Sequence, residues 1–333
     1  MRILVTGGAG FLGARLAREI LQRGQLCGQT VKELVIADLF PAPADLQADP
    51  RVKSHAGPML EQGELLASGF DGVFHLASAV SGECELDFDL GMRSNLDSTR
   101  LLLDSIRRSG KVSRFVFASS VAVFGPYADQ PMPALVTDTT LPSPQTSYGT
   151  QKLMLEYLVA DQTRKGFIDG RSARLMTVTV RPGKPNGAAS SFFSGIIREP
   201  LAGVESVCPV DASVSHPVSS PGTTIRSLIA VFEASQATLG NRLALNLPGL
   251  NVTVQQMLDA LEKVGGKAVR SRVRFERDER IAGIVGNWAR GASSERANAL
   301  GLQADSSFES IIEQYIDDCR KQPGYPAEAL KGL

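Results

Sequence analysis

The 333 residues predict an α/β protein, a doubly wound parallel sheet followed by a smaller C-terminal α/β domain. Three observations carry this prediction. Short β-branched runs alternate with helix-period segments through the first half. A three-glycine loop sits between the first strand and the first helix. The rhythm then breaks after Arg181-Pro182-Gly183 into a stretch rich in Gly, Ser and Pro that runs through Gly222.

In order along the chain, Ile3-Leu4-Val5 is the first strand, a helix spans about Gly10 to Gln22, and Glu33 to Ala37 is the second strand, which makes a β-α-β unit. Gly72 to Leu76, Arg114 to Ala118 and Met176 to Val180 are further buried strands. Apolar-periodic helices lie near residues 90–108 and 148–165. Near-continuous apolar strands of this kind belong in a parallel sheet covered on both faces. A helix from Thr224 to Ala237 and a strand over Leu243 to Asn246 are expected to return to the large sheet.

Composition narrows the function. Lys plus Arg and Asp plus Glu are each 35, so bulk charge argues against nucleic acid or an anionic membrane surface as partner. Cys27, Cys84, Cys208 and Cys319 form no C-x-x-C pair, and His55, His75 and His216 show no metal-ligand spacing, so free thiols and no metal are expected. No apolar run approaches the roughly 18 residues of a membrane span. The first strand begins at once with no leader-like segment, which predicts a cytoplasmic address.

Val5-Thr6-Gly7-Gly8-Ala9-Gly10-Phe11-Leu12-Gly13 sets glycines at G-x-x-G-x-x-G spacing between strand and helix. Glycine permits the tight turn, close approach of backbone N–H groups to a pyrophosphate, and close helix–sheet packing. The helix N-terminus favours the negative charge. This is a Rossmann-type dinucleotide site. Asp38 closes the second strand, where its carboxylate can accept from ribose hydroxyls and would repel a 2′-phosphate. Leu39, Phe40, Pro41 and Ala42 supply no cation to offset that repulsion, so the expected cofactor is NAD.

Tyr148 and Lys152 stand at i and i+4, on one helix face. A free phenol with a pKa of about 10 is a poor base, and a neighbouring ammonium favours the phenolate. Ser119-Ser120 ends the strand from Arg114, where side chains face the ligand crevice. One of the two is expected to hold the reacting oxygen.

The glycine loop, Asp38, the Phe117 to Gly125 segment and the Tyr148/Lys152 pair together resemble the extended short-chain dehydrogenase/reductase superfamily, over nearly the whole chain. The resemblance implies hydride transfer with Ser120, Tyr148 and Lys152 as catalytic residues. The family's hydroxyl lies five residues before the glycine matched by Gly125, which selects Ser120 and leaves Ser119 near the nicotinamide. It also implies that Leu76, Ala77 and Ser78 line the cofactor, that Asn95 supports the site, and that Pro182 belongs to the cofactor site. His75 is read as a satisfied strand-end imidazole. One departure is Gly57-Pro58-Met59, where the family commonly has Asp before an aliphatic residue, so adenine there is expected to rely on backbone or apolar contact.

Val121-Ala122 follows Ser120 where dehydratases of the superfamily carry an acid pair, and neither side chain transfers a proton. No Cys follows Ser120 either, which disfavours the proton-exchanging deoxysugar enzymes. Simple dehydrogenation or 4-epimerisation remains. The hydroxyl-rich run from Arg181 to Leu201, with Asn287-Trp288 and Ala297 to Gly301, is similar to the sugar-acid dehydrogenases of that superfamily, which oxidise the C2 hydroxyl of D-erythronate to the 2-oxo acid. From residues alone the reading stops at a small polar alcohol. Candidate substrate residues beside Ser120 and Tyr148 are Asn186, Ser190 and Ser191, with Lys184, Arg198 and Arg226 as further cations; threonate or another aldonate stays open, as do the nucleotide-sugar 4-epimerase and a non-catalytic NAD(H) sensor. The expected domains are 1–181 for NAD, with a return segment over 222–250, and 182–221 with 251–333 for substrate. Wide apolar faces on the helices near 90–108 and 148–165, such as Leu153, Met154, Leu155, Leu158 and Val159, predict a homodimer.

Overall fold

The computed structural model describes residues 1–127, 129–183, 189–323 and 325–333. Seven strands form one sheet: β1 (Arg2–Thr6), β2 (Glu33–Asp38), β3 (Val52–Ala56), β4 (Gly72–His75), β5 (Arg114–Ser120), β6 (Asp169–Leu175) and β10 (Leu245–Asn246). Their order is β10-β6-β5-β4-β1-β2-β3, and every pairing is parallel. The strand order reverses between β1 and β4, and the crevice beyond their carboxyl ends is where an open α/β sheet binds its ligand.

Both faces are covered, as the apolar runs require. On one face, α1 (Phe11–Arg23) and α5 (Pro221–Glu233) bury Leu16, Ile20, Leu228 and Phe232 against Ile3, Val5, Ile36 and Phe74. Phe232 stacks on Phe74 at 4.7 Å. On the other face, α2 (Ser98–Arg108) and α3 (Ser147–Arg164) bury Leu102, Ile106, Leu155 and Val159 against Leu4, Val73, Phe115 and Phe117.

A second group of elements packs below the carboxyl end of the sheet. It holds the three-stranded sheet β11-β9-β7, made of β7 (Thr177–Val178), β9 (Ser215–Ser219) and β11 (Leu250–Thr253), and the pair β8 (Ser206–Cys208) with β12 (Val273–Phe275). The helices α4 (Ser191–Leu201), α6 (Val254–Gly265) and α8 (Phe308–Lys321) enclose its core of Phe193, Ile197, Leu258 and Ile312. A shorter helix, α7 (Glu279–Gly286), lies beside it.

One expected strand is displaced. The sheet strand is β6, Asp169–Leu175, and not Met176–Val180; Thr177 and Val178 of that run pair instead with Val218 and Ser219 in the small sheet. The strand escapes an apolar reading because its buried residues include Arg171 and Arg174. Their charges are met by Asp169 and Glu156. The helix near 90–108 is also interrupted, by a π-helical segment over Met92–Asp97.

Among the described residues, no helix is long and apolar enough to cross a membrane, and no cluster of three or more His, Cys, Asp or Glu is placed to hold a metal ion. All four cysteines are free thiols.

Candidate active site

A cavity of about 1770 Å³ opens at the carboxyl end of the large sheet and runs beneath the second group of elements. The loop from Gly7 to Gly13 forms one wall. Gly13 is required there because a Cβ would stand 2.0 Å from the Gly7 carbonyl oxygen, so only hydrogen lets α1 start this close to the turn. Gly7, Gly10, Phe11, Leu12 and Gly13 all line the cavity, and α1 presents its N-terminus to it. Asp38 lines it from the end of β2. Its carboxylate accepts from the backbone N–H of Ala9 at 3.0 Å and of Phe40 at 3.2 Å. Those bonds aim an anion at the place where a dinucleotide ribose lies in this fold, and they fit NAD.

The wall after β4 is Leu76, Ala77 and Ser78. Asn95 lies behind this wall and does not line the cavity. Buried in the π-helical segment, its Oδ1 accepts from Ala79 N at 2.7 Å and from the Ser78 hydroxyl at 3.0 Å, while its Nδ2 donates to Gln151 at 2.7 Å. The side chain therefore ties the cofactor loop to the catalytic helix, and π-turns recur at such functional points. His75 is fully buried between two threonines. Thr99 spends its proton on the Asn95 carbonyl, so His75 Nε2 donates to Thr99, and His75 Nδ1 accepts from Thr6. Burial holds this imidazole neutral, with its pKa pushed down to about 3.

Ser120, Tyr148 and Lys152 meet at the centre. Thr146 caps α3 by accepting from Gly149 N at 3.0 Å. A Cβ on Gly149 would fall 2.2 Å from the Ala122 carbonyl oxygen, so the bare glycine lets α3 press against the segment after Ser120. Ser120 Oγ accepts from Ala122 N at 3.1 Å, which leaves its proton to hydrogen-bond the Tyr148 phenol. Burial raises the phenol to about 12, while Ser120 and the Arg181 guanidinium favour the phenolate. Lys152 is buried and donates to the Ala118 carbonyl at 2.8 Å. Its ammonium stands 5.4 Å from the Tyr148 ring centre and 4.9 Å from that of Phe117. Burial lowers it to about 8, and the Glu156 carboxylate one turn on pulls it upward.

Ser119 also lines the cavity, but its hydroxyl points into the protein and donates to Glu156 at 2.5 Å. Glu156 in turn holds Arg174 through two bonds of 2.9 and 2.8 Å. Ser190 and Ser191 line the substrate end; Ser190 accepts from Arg181 at 2.9 Å. Pro182 is not in the lining. Arg198 is buried and committed to the Arg181 carbonyl and Glu199, and Arg226 is an exposed residue bonded to Thr223, so neither offers its charge to the cavity. Lys184 and Asn186 lie outside the described residues.

Among the cavity residues that escaped the sequence reading are Arg181 and His216. Arg181 is held by the Val178 carbonyl at 2.9 Å and by Ser190, and its charge favours the Tyr148 phenolate. His216 donates from Nδ1 to the Ala289 carbonyl at 3.0 Å, accepts at Nε2 from Thr177 at 2.7 Å, and stacks on Phe193. Burial takes its pKa down to about 4, so it lines the cavity as a neutral ring. Asn287 and Trp288 complete that side.

A glycine turn at a helix N-terminus, an acid at the second strand end and a Ser-Tyr-Lys cluster on one cavity define a dinucleotide-dependent oxidoreductase. The chain belongs to the NAD dependent epimerase/dehydratase family, whose model matches residues 3–239. It is 48% identical over 325 residues to a D-erythronate dehydrogenase of Cupriavidus necator, covering 96% of this chain and 98% of that protein. It is 40% identical to a D-erythronate dehydrogenase of Haemophilus influenzae over 320 residues, covering 95% and 99%. A solved structure described as the nucleoside-diphosphate-sugar epimerase from Agrobacterium tumefaciens is 42% identical, with a TM-score of 0.90 over 96% of this chain and 94% of that one.

Proposed function

We propose that this NAD-dependent dehydrogenase oxidises the C2 hydroxyl of a small sugar acid, D-erythronate, to 2-dehydro-D-erythronate. The observation that carries the proposal is that Arg181 and Tyr148 line one cavity, where the guanidinium charge favours the phenolate. In a 2-hydroxy acid the carboxylate is bonded to the carbon that bears the reacting hydroxyl, so a cation in the same cavity as the phenol suits that substrate. The two full-length relatives named for D-erythronate support the chain length.

In this reading Tyr148 accepts the C2 hydroxyl proton and Ser120 donates a hydrogen bond to the same oxygen. Lys152 keeps a positive charge beside the phenol and offers its remaining protons to a ribose hydroxyl. Bound NAD supplies the acceptor for the hydride that leaves C2. Arg181 holds the carboxylate, and Ser190 and Ser191 meet the remaining hydroxyls. The Gly7–Gly13 loop, Asp38 and residues 76–78 hold the cofactor in a domain over 1–181 and 222–250. The segments 182–221 and 251–333 hold the substrate. The protein works in the cytoplasm as a homodimer.

The test is NADH formation with NAD and a panel of four- and five-carbon aldonates and UDP-sugars, for wild type and Tyr148→Phe. Turnover of D-erythronate that vanishes in the variant supports the reading. Interconversion of a UDP-sugar without net NADH would replace it with 4-epimerisation; the Agrobacterium structure is described as a nucleoside-diphosphate-sugar epimerase. NAD binding with no turnover of either class would leave a dinucleotide sensor.

A further inference from the structure

Two polar side chains of the small sheet line the cavity and take no part in the chemistry above. Thr177 stands on β7 and His216 on β9, neighbouring strands of that sheet. The imidazole is fixed in place, its ring 5.1 Å from that of Phe193 and 5.3 Å from that of Trp288.

The hydrogen bonds through this ring run in one direction. A backbone carbonyl can only accept, so Nδ1, 3.0 Å from the Ala289 oxygen, carries the ring proton. The buried ring is neutral, so Nε2 is bare and can only accept. Thr177 Oγ, 2.7 Å away, must spend its proton on that nitrogen. Among the described residues the hydroxyl has no other hydrogen bond, and Thr177 is half-buried, so its oxygen is left with acceptor lone pairs alone. An unconstrained threonine donates or accepts as its ligand requires. This one cannot donate.

We propose that Thr177 Oγ reads the substrate as an obligate acceptor, taking a hydrogen bond from the C3 or C4 hydroxyl of the sugar acid. The inference rests on the sugar-acid reading and adds a discrimination to it. A carboxylate, phosphate or keto oxygen at this point would set acceptor against acceptor. The acid is thereby held in one orientation, a hydroxyl toward the small sheet and the carboxylate toward Arg181.

The test compares kcat/KM for D-erythronate with that for its 3-deoxy, 3-deoxy-3-fluoro, 4-deoxy and 4-deoxy-4-fluoro analogues, in wild type, Thr177→Val, Thr177→Ala and Thr177→Ser. Fluorine fills the place of a hydroxyl and cannot donate. Removing the Thr177 hydroxyl, in Val or Ala, is expected to cost D-erythronate roughly tenfold. At one of the two carbons the deoxy and fluoro analogues alike should lose less than about twofold on the same substitution, because the bond is already absent. Thr177→Ser should restore the wild-type pattern, and NAD binding by calorimetry should be unchanged in all three variants. An equal loss for every substrate overturns the proposal, as does a loss that the fluoro analogues share with D-erythronate at both carbons. Wild type that turns over no aldonate removes the sugar-acid reading and this inference with it.

Discussion

Tyr148 carries two opposed demands. Desolvation at the cavity wall raises its pKa to about 12, whereas the proposed oxidation needs it to lose its proton. Ser120 and Arg181 pull in the second direction, and Lys152 supplies charge across the ring. Tyr148→Phe is expected to lower kcat by about 10²–10⁴ with NAD affinity unchanged, as measured by turnover and by calorimetry. Arg181→Met tests the carboxylate anchor. The loss of a charged hydrogen bond predicts a KM for D-erythronate raised by about 10–100-fold, with kcat changed less, and a kcat–pH rise moved to higher pH because the phenol stays protonated longer. A KM unchanged for the acid would remove Arg181 from substrate binding. Ser120, Tyr148, Lys152 and Asp38 were legible because local spacing sets each one: a strand end, a helix face, a second strand end. Arg181 was not, since its place in the cavity with Tyr148 depends on where the chain leaves the large sheet, and nothing within a few residues of it records that.

At the scale of elements, β1, α1, β2, β4 and β5 could be read directly because their buried residues are apolar. Two strands of the large sheet could not. Strand β3 buries one residue, Val52, and leaves no apolar run, and β6 buries arginines. The Arg174–Glu156 pair is what permits β6, with side chains 6% and 4% exposed and two bonds between them. Glu156→Ala would leave Arg174 charged and alone, a loss of about 3–5 kcal/mol. It would also release Ser119 and remove the anion that holds Lys152 upward. Urea unfolding measures the first effect, and a fall in the pH at which activity is lost on the alkaline side measures the second. Gly149→Val is expected to uncouple α3 from the segment after Ser120, costing about 1–3 kcal/mol by overpacking and most of kcat.

For the molecule as a whole, His75 and His216 govern the response to acid. Both are fully buried and held neutral, at about 3 and about 4, against an ordinary value of 6.5. Below 6.5 the unfolded chain binds protons that the folded chain refuses. Stability is therefore complete above 6.5 and falls as pH drops toward 4, by up to about 1.4 kcal/mol per pH unit for each histidine. Thermal melts from pH 7 to pH 4.5 should show this fall, and His216→Gln should flatten it; a flat profile in wild type would contradict the assignment. Of the apolar residues on α3, Leu155 and Val159 are consumed by the core, whereas Met154 and Tyr157 remain 45% and 56% exposed. Gel filtration is expected to give a dimer, with Met154→Lys shifting it toward monomer.

The outer edge of β6 is covered only by β10, two residues that arrive some seventy positions later, and the face around Gly72 and Phe74 waits for Phe232. During synthesis, then, the nascent chain has made its dinucleotide loop, its Ser-Tyr-Lys residues and most of its sheet long before that sheet is closed. In that interval a strand edge and an aromatic face stand open to solvent, so the ribosome-bound intermediate is the species most in need of a chaperone.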